Sequence, residues 1–329
     1  MFLKKKSYVL TLVLLLAVST VLFTSVGVKA ANEKPEILVT PKGLSQSYWL
    51  TVKAGAEEAA EEFGAEIFWK GPTGETGVTK QVNVIRDYIR QDVDAIVAAA
   101  TDATALVPPL KDAHEKGIPV ITIDSGIDAD FVTSHIATNN VEAAKTAGNM
   151  LAEQINKEGK VASIPFVAGA ATSQAREKGF EEAIKEYDNI SIVATQYSKS
   201  DYATAMKVTN NILTANPDLD GIFAANEAGL VGAARALKSR GKVGEVKLIG
   251  FDGADTEIEQ LKAGVAQGLV VQRPFQMGYL GVKHAIQKLE GKDVPKKVDT
   301  GVVEATKENM DQEKIHEVLY PLESRGIEE

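Results

Sequence analysis

Several side chains able to hold a small polar molecule stand just after short apolar runs. Asp124-Ser125 follows PVITI, Asn226-Glu227 follows the run ending at Ala225, Asp252-Gly253 follows VKLIGF, and Gln272 ends the run from Gly268. Ser45, Gln46 and Ser47 lead into the adjacent aromatics Tyr48 and Trp49, and Arg176 falls near the start of a helical segment. Carboxylates accept hydrogen bonds, amides accept and donate, and a guanidinium presents a rigid fork of donors. Flat aromatics pack against apolar C–H faces. Together these types suit a small polyol, and none is a nucleophile with a base beside it.

Each residue also has a plainer reading. Asp252, Asn226 or Asp124 could cap a helix. Arg176, next to Glu177, could be a solvated helix residue, and Gln272 could satisfy backbone at a crossover. Tyr48 and Trp49 could be core. The four histidines, at 114, 135, 284 and 316, share no metal-ligand spacing. Neither a metal nor a cofactor is expected. The chain lacks GxSxG, HExxH and a GxGxxG after its first strand, and we expect no enzyme.

The elements that would position these groups alternate. Candidate strands cover 36–40, 65–70, 95–100, 119–124, 132–138, 160–167, 190–197, 221–226, 246–251 and 268–273. Between them lie helical patterns, such as Val78, Val82, Ile85 and Ile89 on one face. Unbroken apolar strands are buried on both faces, as in parallel sheets covered by helices. Ten strands exceed one compact sheet of this kind, so we expect an α/β fold of two doubly wound parallel-sheet lobes. Pro108-Pro109 should kink or delay a helix rather than mark a boundary. Gly117 and Gly241 read as helix C-terminal glycines. In such sheets ligands bind outside the carboxyl ends of the strands, where the polar residues above stand.

Composition narrows the class. With 329 residues the chain can bury full cores, and 44% hydrophobic with 25% charged residues is ordinary for a folded soluble chain. It has no cysteine, hence no disulfide and no thiolate chemistry. A net charge of −9 argues against a nucleic-acid partner. Residues 1–30 read as a secretory signal. Lys4, Lys5 and Lys6 precede an apolar run, and Val28-Lys29-Ala30 offers a cleavage site before Ala31. The rival reading is an uncleaved anchor, weakened by Thr20, Thr24 and Ser25. No cysteine follows for lipid attachment, so periplasm or cell exterior is expected.

PVITID (119–124), SHIATNN (134–140), AREKGF (175–180), LTANPDLDGIFAANE (213–227) and LIGFDG (248–253) resemble, in order and spacing, the type I periplasmic sugar-binding proteins, especially the ribose-binding group. The resemblance spans about residues 36–305. It implies two Rossmann-like lobes joined by a three-strand hinge, 31–138 plus 273–299 and 139–272 plus 300–329. It implies capture of a simple sugar (pentose, hexose or related polyol) and delivery to the permease subunits of an ABC importer, by a monomer. Its ligand positions fall on Tyr48, Trp49, Asp124, Arg176, Asn226, Asp252 and Gln272. Departures fall at Ser125, where ribose binders carry Arg, and at Ser45-Gln46, where they carry Asn-Asn. Gln46 and Ser125 are therefore candidate ligand residues with altered specificity. The loop GPTGE (71–75) is similar to relatives that bind other simple sugars or furanose-like signals. Presentation of a ligand to a chemoreceptor is the alternative role. A LacI-type regulator would need an N-terminal helix-turn-helix where the signal stands.

Overall fold

The computed structural model describes residues 34–327. The secretory-signal reading of residues 1–30 lies outside them. Twelve strands are formed: β1 (Glu36–Thr40), β2 (Glu66–Trp69), β3 (Ala95–Ala98), β4 (Val120–Ile123), β5 (Ser134–Ala137), β6 (Gly159–Ile164), β7 (Ile190–Thr195), β8 (Gly221–Ala224), β9 (Lys247–Phe251), β10 (Gly268–Val271), β11 (Lys297–Asp299) and β12 (Val303–Ala305). They make two six-stranded sheets, ordered β2-β1-β3-β4-β5-β11 and β7-β6-β8-β9-β10-β12. Every pairing is parallel except that of β12 with β10. All ten expected strands are present. β11 and β12 were not expected as strands, because KVD and VEA are too short and too exposed to show an apolar run.

Alternate side chains enter opposite faces of each sheet. Ile37, Val39, Val97 and Ile121 pack under the helices Ser47–Phe63 and Pro274–Leu289. Leu38, Ile96 and Ala98 meet Val84, Ile85, Ile89 and Leu110 on the other side. The second sheet repeats this, with Ile164, Ile222 and Leu248 on one face and Val161, Phe223 and Ile249 on the other. Burial on both faces is why these strands read as unbroken apolar runs.

The helices Ser47–Phe63 and Pro274–Leu289 cross at unusually close range. A Cβ on Gly55 would lie 2.0 Å from the Phe275 carbonyl oxygen, and one on Gly278 would lie 1.9 Å from that of Val52. Only glycine permits this backbone approach. The contact anchors the start of the Ser47–Phe63 helix, which carries Tyr48 and Trp49. Pro108 and Pro109 sit in the first turn of the helix Val107–Glu115, so the late helix start, not the kink, is realised. Gly117 and Gly241 adopt left-handed φ of 82° and 65° at helix ends.

The chain passes between the sheets three times: from β5 to β6, from β10 through the helix Pro274–Leu289 to β11, and from β11 to β12. In each sheet the first strand in chain order, β1 or β6, has neighbours reached in opposite directions. A doubly wound sheet opens a crevice at such a switch point, at the strands' carboxyl edge.

Candidate functional site

Twelve residues from both carboxyl edges converge on one small cavity. From the first sheet come Lys42, Gln46, Tyr48 and Trp49 after β1, Glu75 after β2 and Asp124 after β4. From the second come Phe166 and Arg176 after β6, Asn226 and Glu227 after β8, Asp252 after β9 and Gln272 after β10. A larger groove borders Ser47, Thr51, Ala254, Val271 and Leu319, but the opposed charges gather in the smaller space.

Of the nine residues singled out in the sequence, eight line this cavity: Gln46, Tyr48, Trp49, Asp124, Arg176, Asn226, Asp252 and Gln272. Ser125 does not. It is fully buried next to Asp124, but outside the lining, and its Oγ has no hydrogen-bond partner. Lys42, Glu75 and Phe166 were not expected, and Glu227 was noted beside Asn226 but not among the nine. Lys42 stands two residues past the end of β1, where a signal was present. Nothing local distinguishes Phe166 from a core residue.

Asp124 and Asp252 sit on backbone with φ of 56° and 91°. Non-glycine residues rarely adopt such positive values, and they cluster at functional sites. The turn at Asp124 is tight, with Ser125 N donating to Ile123 O at 2.5 Å. Asp124 Oδ2 pairs with Lys42 Nζ at 2.8 Å, and Asp124 Oδ1 accepts from the Tyr48 hydroxyl at 2.9 Å. Burial and the neighbouring Asp124 hold that phenol well above its ordinary pKa. It stays a donor at any physiological pH.

Arg176 is not a solvated helix residue. Its side chain is buried: Nε donates to Asn140 Oδ1 and Nη1 to Ala225 O, both at 2.7 Å. The guanidinium lies 3.7 Å from the Phe251 ring centroid and 4.0 Å from Asp252 Oδ2. Asp252 is not a cap for the helix Asp255–Lys262, whose N-cap position is Ala254. Instead Asp252 accepts from Gln272 Nε2 at 2.6 Å and from Glu227 N at 3.3 Å. The capping reading holds for Asn226, whose Oδ1 accepts from Gly229 N at 3.0 Å while Nδ2 donates to Ser200 Oγ. Tyr48 and Trp49 satisfy both readings: they belong to the core and line the cavity, packed edge to face 5.0 Å apart.

Three carboxyls on the second sheet's side press on one another. Burial raises the pKa of Asp252, with Arg176 opposing. Burial also raises Glu227, opposed by the Tyr202 hydroxyl that donates to it. Glu257 is raised most clearly, by burial and then by the Asp252 and Glu227 charges.

Direct bonds cross between the two sets of elements. Lys42 Nζ donates to Thr172 Oγ1 at 3.2 Å, and Gln46 Nε2 donates to Ser200 Oγ at 3.2 Å. Tyr48 N donates to Glu227 Oε2 at 3.5 Å, and Ala103 N to Gly169 O at 3.0 Å. The histidines are scattered: His135 contacts Thr122 and His284 contacts Ser134. Among the described residues no group of three or more His, Cys, Asp or Glu could hold a metal ion, and no helix is long and apolar enough to cross a membrane.

Two doubly wound sheets facing one another across a small charged cavity define a class: two-lobed α/β proteins that enclose a solute. A family model described as a periplasmic binding protein domain matches residues 37–293. The chain belongs to this family. It is 30% identical over 269 residues to the ribose import binding protein RbsB of Haemophilus influenzae, covering 82% of this chain and 90% of that one. Among solved structures it is similar to an ABC transporter solute-binding protein from Agrobacterium vitis with bound D-fucose. That likeness has 39% identity and a TM-score of 0.85, covering 87% of this chain and all of the other. A carbohydrate transporter solute-binding protein from Agrobacterium radiobacter in complex with D-arabinose matches at 33% identity and a TM-score of 0.85, covering 88% and 100%.

Proposed function

We propose that this chain is an extracytoplasmic solute-binding protein that captures a simple sugar between two lobes and delivers it to an ABC importer. The observation that carries the reading is the cavity wall. Hydroxyl-matching carboxylates, three amides, Lys42 and Arg176 share the wall with the rings of Tyr48, Trp49 and Phe166, and they come from both sheets. A sugar ring has hydroxyls at its rim and C–H groups on its faces, so it can satisfy both kinds of wall at once. The names of the relatives, with ribose, D-fucose and D-arabinose, support the same class.

The lobes are residues 31–138 plus 273–299 and 139–272 plus 300–329, meeting at the three crossings. Gln46, Tyr48, Trp49, Asp124, Arg176, Asn226, Asp252 and Gln272 contact the ligand, and Ser125 supports the turn at Asp124. Because the contacts come from both lobes, only the closed form makes all of them, and binding energy favours closure. The closed pair of lobes is the form an importer's permease subunits, or a chemoreceptor, would read. The protein acts as a monomer in the periplasm or at the cell exterior, exported through residues 1–30 without a lipid anchor.

A thermal-shift screen of the mature chain against pentoses, hexoses, polyols and furanose signals tests this. A ligand at 100 times its Kd should add about 2.7 kcal/mol to stability. A flat response across the whole panel would remove the sugar-binding reading.

A further inference from the structure

The loop Gly71–Gly77 carries Glu75 into the cavity wall. It is compact: Gly77 N donates to Gly74 O at 3.0 Å, and a Cβ on Gly77 would lie 2.3 Å from Pro72 Cβ. So folded, it places an acidic side chain where only 7% of it is exposed. Glu75 Oε1 accepts from Trp49 Nε1 at 3.0 Å, which fixes the carboxylate's orientation. The other oxygen, Oε2, is buried without a hydrogen-bond partner. A buried carboxylate oxygen without a donor is costly.

We infer that Glu75 is a ligand-contacting, specificity-determining residue, whose Oε2 accepts a hydrogen bond from a hydroxyl of an uncharged sugar and excludes sugars that carry an acid or phosphate group. This rests on the sugar-binding reading above. Two features of the wall carry it. A free carboxylate oxygen demands a donor, which a sugar hydroxyl supplies and an anionic oxygen does not. The wall also sets two cations, Lys42 and Arg176, against four carboxylates, Glu75, Asp124, Glu227 and Asp252. Lys42 is paired with Asp124 and Arg176 stands 4.0 Å from Asp252, which leaves Glu75 and Glu227 as carboxylates in excess of the cations. An anion brought among these buried carboxylates meets like charge in a medium that screens it poorly.

Glu75→Gln tests the assignment with little change of shape. The amide oxygen can still accept from Trp49 Nε1, but the second position becomes a donor. Calorimetric titration would use D-fucose, D-arabinose, D-ribose and D-allose as neutral probes, and D-galacturonate and D-ribose 5-phosphate as anions. For the parent, both anions should bind at least about 100-fold more weakly than the tightest neutral sugar. For Glu75→Gln and Glu75→Ala, the tightest neutral sugar should lose about tenfold or more in affinity. The melting temperature of ligand-free Glu75→Gln should stay at or above the parent's. Affinity within threefold of the parent for both variants, or either anion within threefold of the best neutral sugar, would overturn the inference and leave the sugar-binding reading standing. Binding of no probe by the parent would overturn both.

Discussion

Replacing Asp252 by Asn should separate a ligand contact from a structural one, because one reading puts the loss in affinity and the other puts it in folding stability. The amide keeps the size of the side chain and tolerates the left-handed backbone at φ 91°. Its one oxygen can still accept from Glu227 N, while its new amide nitrogen faces Gln272, whose side-chain amide can turn its oxygen to accept. What is lost is the charge. In the ligand-free protein that charge is already disfavoured, since burial raises the pKa of Asp252 and Glu227 and Glu257 lie close by. The compensating ion pair with Arg176 is at the 4.0 Å limit, and Arg176 keeps two hydrogen bonds and its ring contacts. The net change in folding stability should therefore be about 1 kcal/mol or less, of either sign. With sugar present, a charge-assisted hydrogen bond becomes a neutral one, a loss of about 1–2 kcal/mol. That is roughly a 5- to 30-fold weaker Kd, and Asp252→Ala, which strands the hydroxyl, should lose about 30- to 1000-fold. Calorimetric titration and thermal melts on the same variants decide it. Asp252→Asn that binds as tightly as the parent, yet melts with a loss above about 2 kcal/mol, would refute the reasoning.

Four further outcomes are expected. Because burial raises the pKa of Asp252, Glu227 and Glu257, the folded chain holds more protons than the unfolded one above the ordinary carboxylate range near 4. These groups therefore add stability as the pH falls from neutral toward that range, and lose it as the pH rises through the raised values. His135 and His284, whose pKa burial lowers, act in the opposite sense below about 6.5, so the test is the difference between variants: on acidification from about pH 7 the parent should gain stability relative to Glu257→Gln, and parallel pH profiles would contradict this. Gly278→Val should cost at least about 3 kcal/mol, because its side chain would meet the Val52 carbonyl oxygen; denaturant melts within about 0.5 kcal/mol of the parent would contradict the crossing. Small-angle scattering should give a smaller radius of gyration at saturating sugar, and an identical profile with and without ligand would count against closure. Mass spectrometry of the exported protein should find its N-terminus at or near Ala31, and an intact Met1 in the membrane fraction would reject the cleavage site.

Apolar runs such as AIVAAA and VKLIGF marked both sheets in the sequence because strands covered on both faces need no polar alternation. The same local logic exposed most of the site. In a parallel sheet the residue after a strand stands at the carboxyl edge, so Asp124, Asn226, Asp252 and Gln272 could be named by position alone. Strand order was not legible in this way, since it depends on which runs pair in space. Nor were β11 and β12, whose three residues each acquire strand geometry only from the neighbours β5 and β10. Tertiary structure also decided between readings that local sequence left open. Arg176 became a buried anchor because Asn140, Ala225 and Phe251 surround it, whereas Asn226 kept its helix cap and joined the cavity as well. Glu75 and Lys42 belong to the site through contacts between loops distant in sequence, Trp49 beside one, and Asp124 from the same sheet and Thr172 from the other beside the second. Local patterning encodes which residues reach a strand's end, while the partner each meets there depends on contacts from distant segments, 179 residues away in the case of Tyr48 and Glu227.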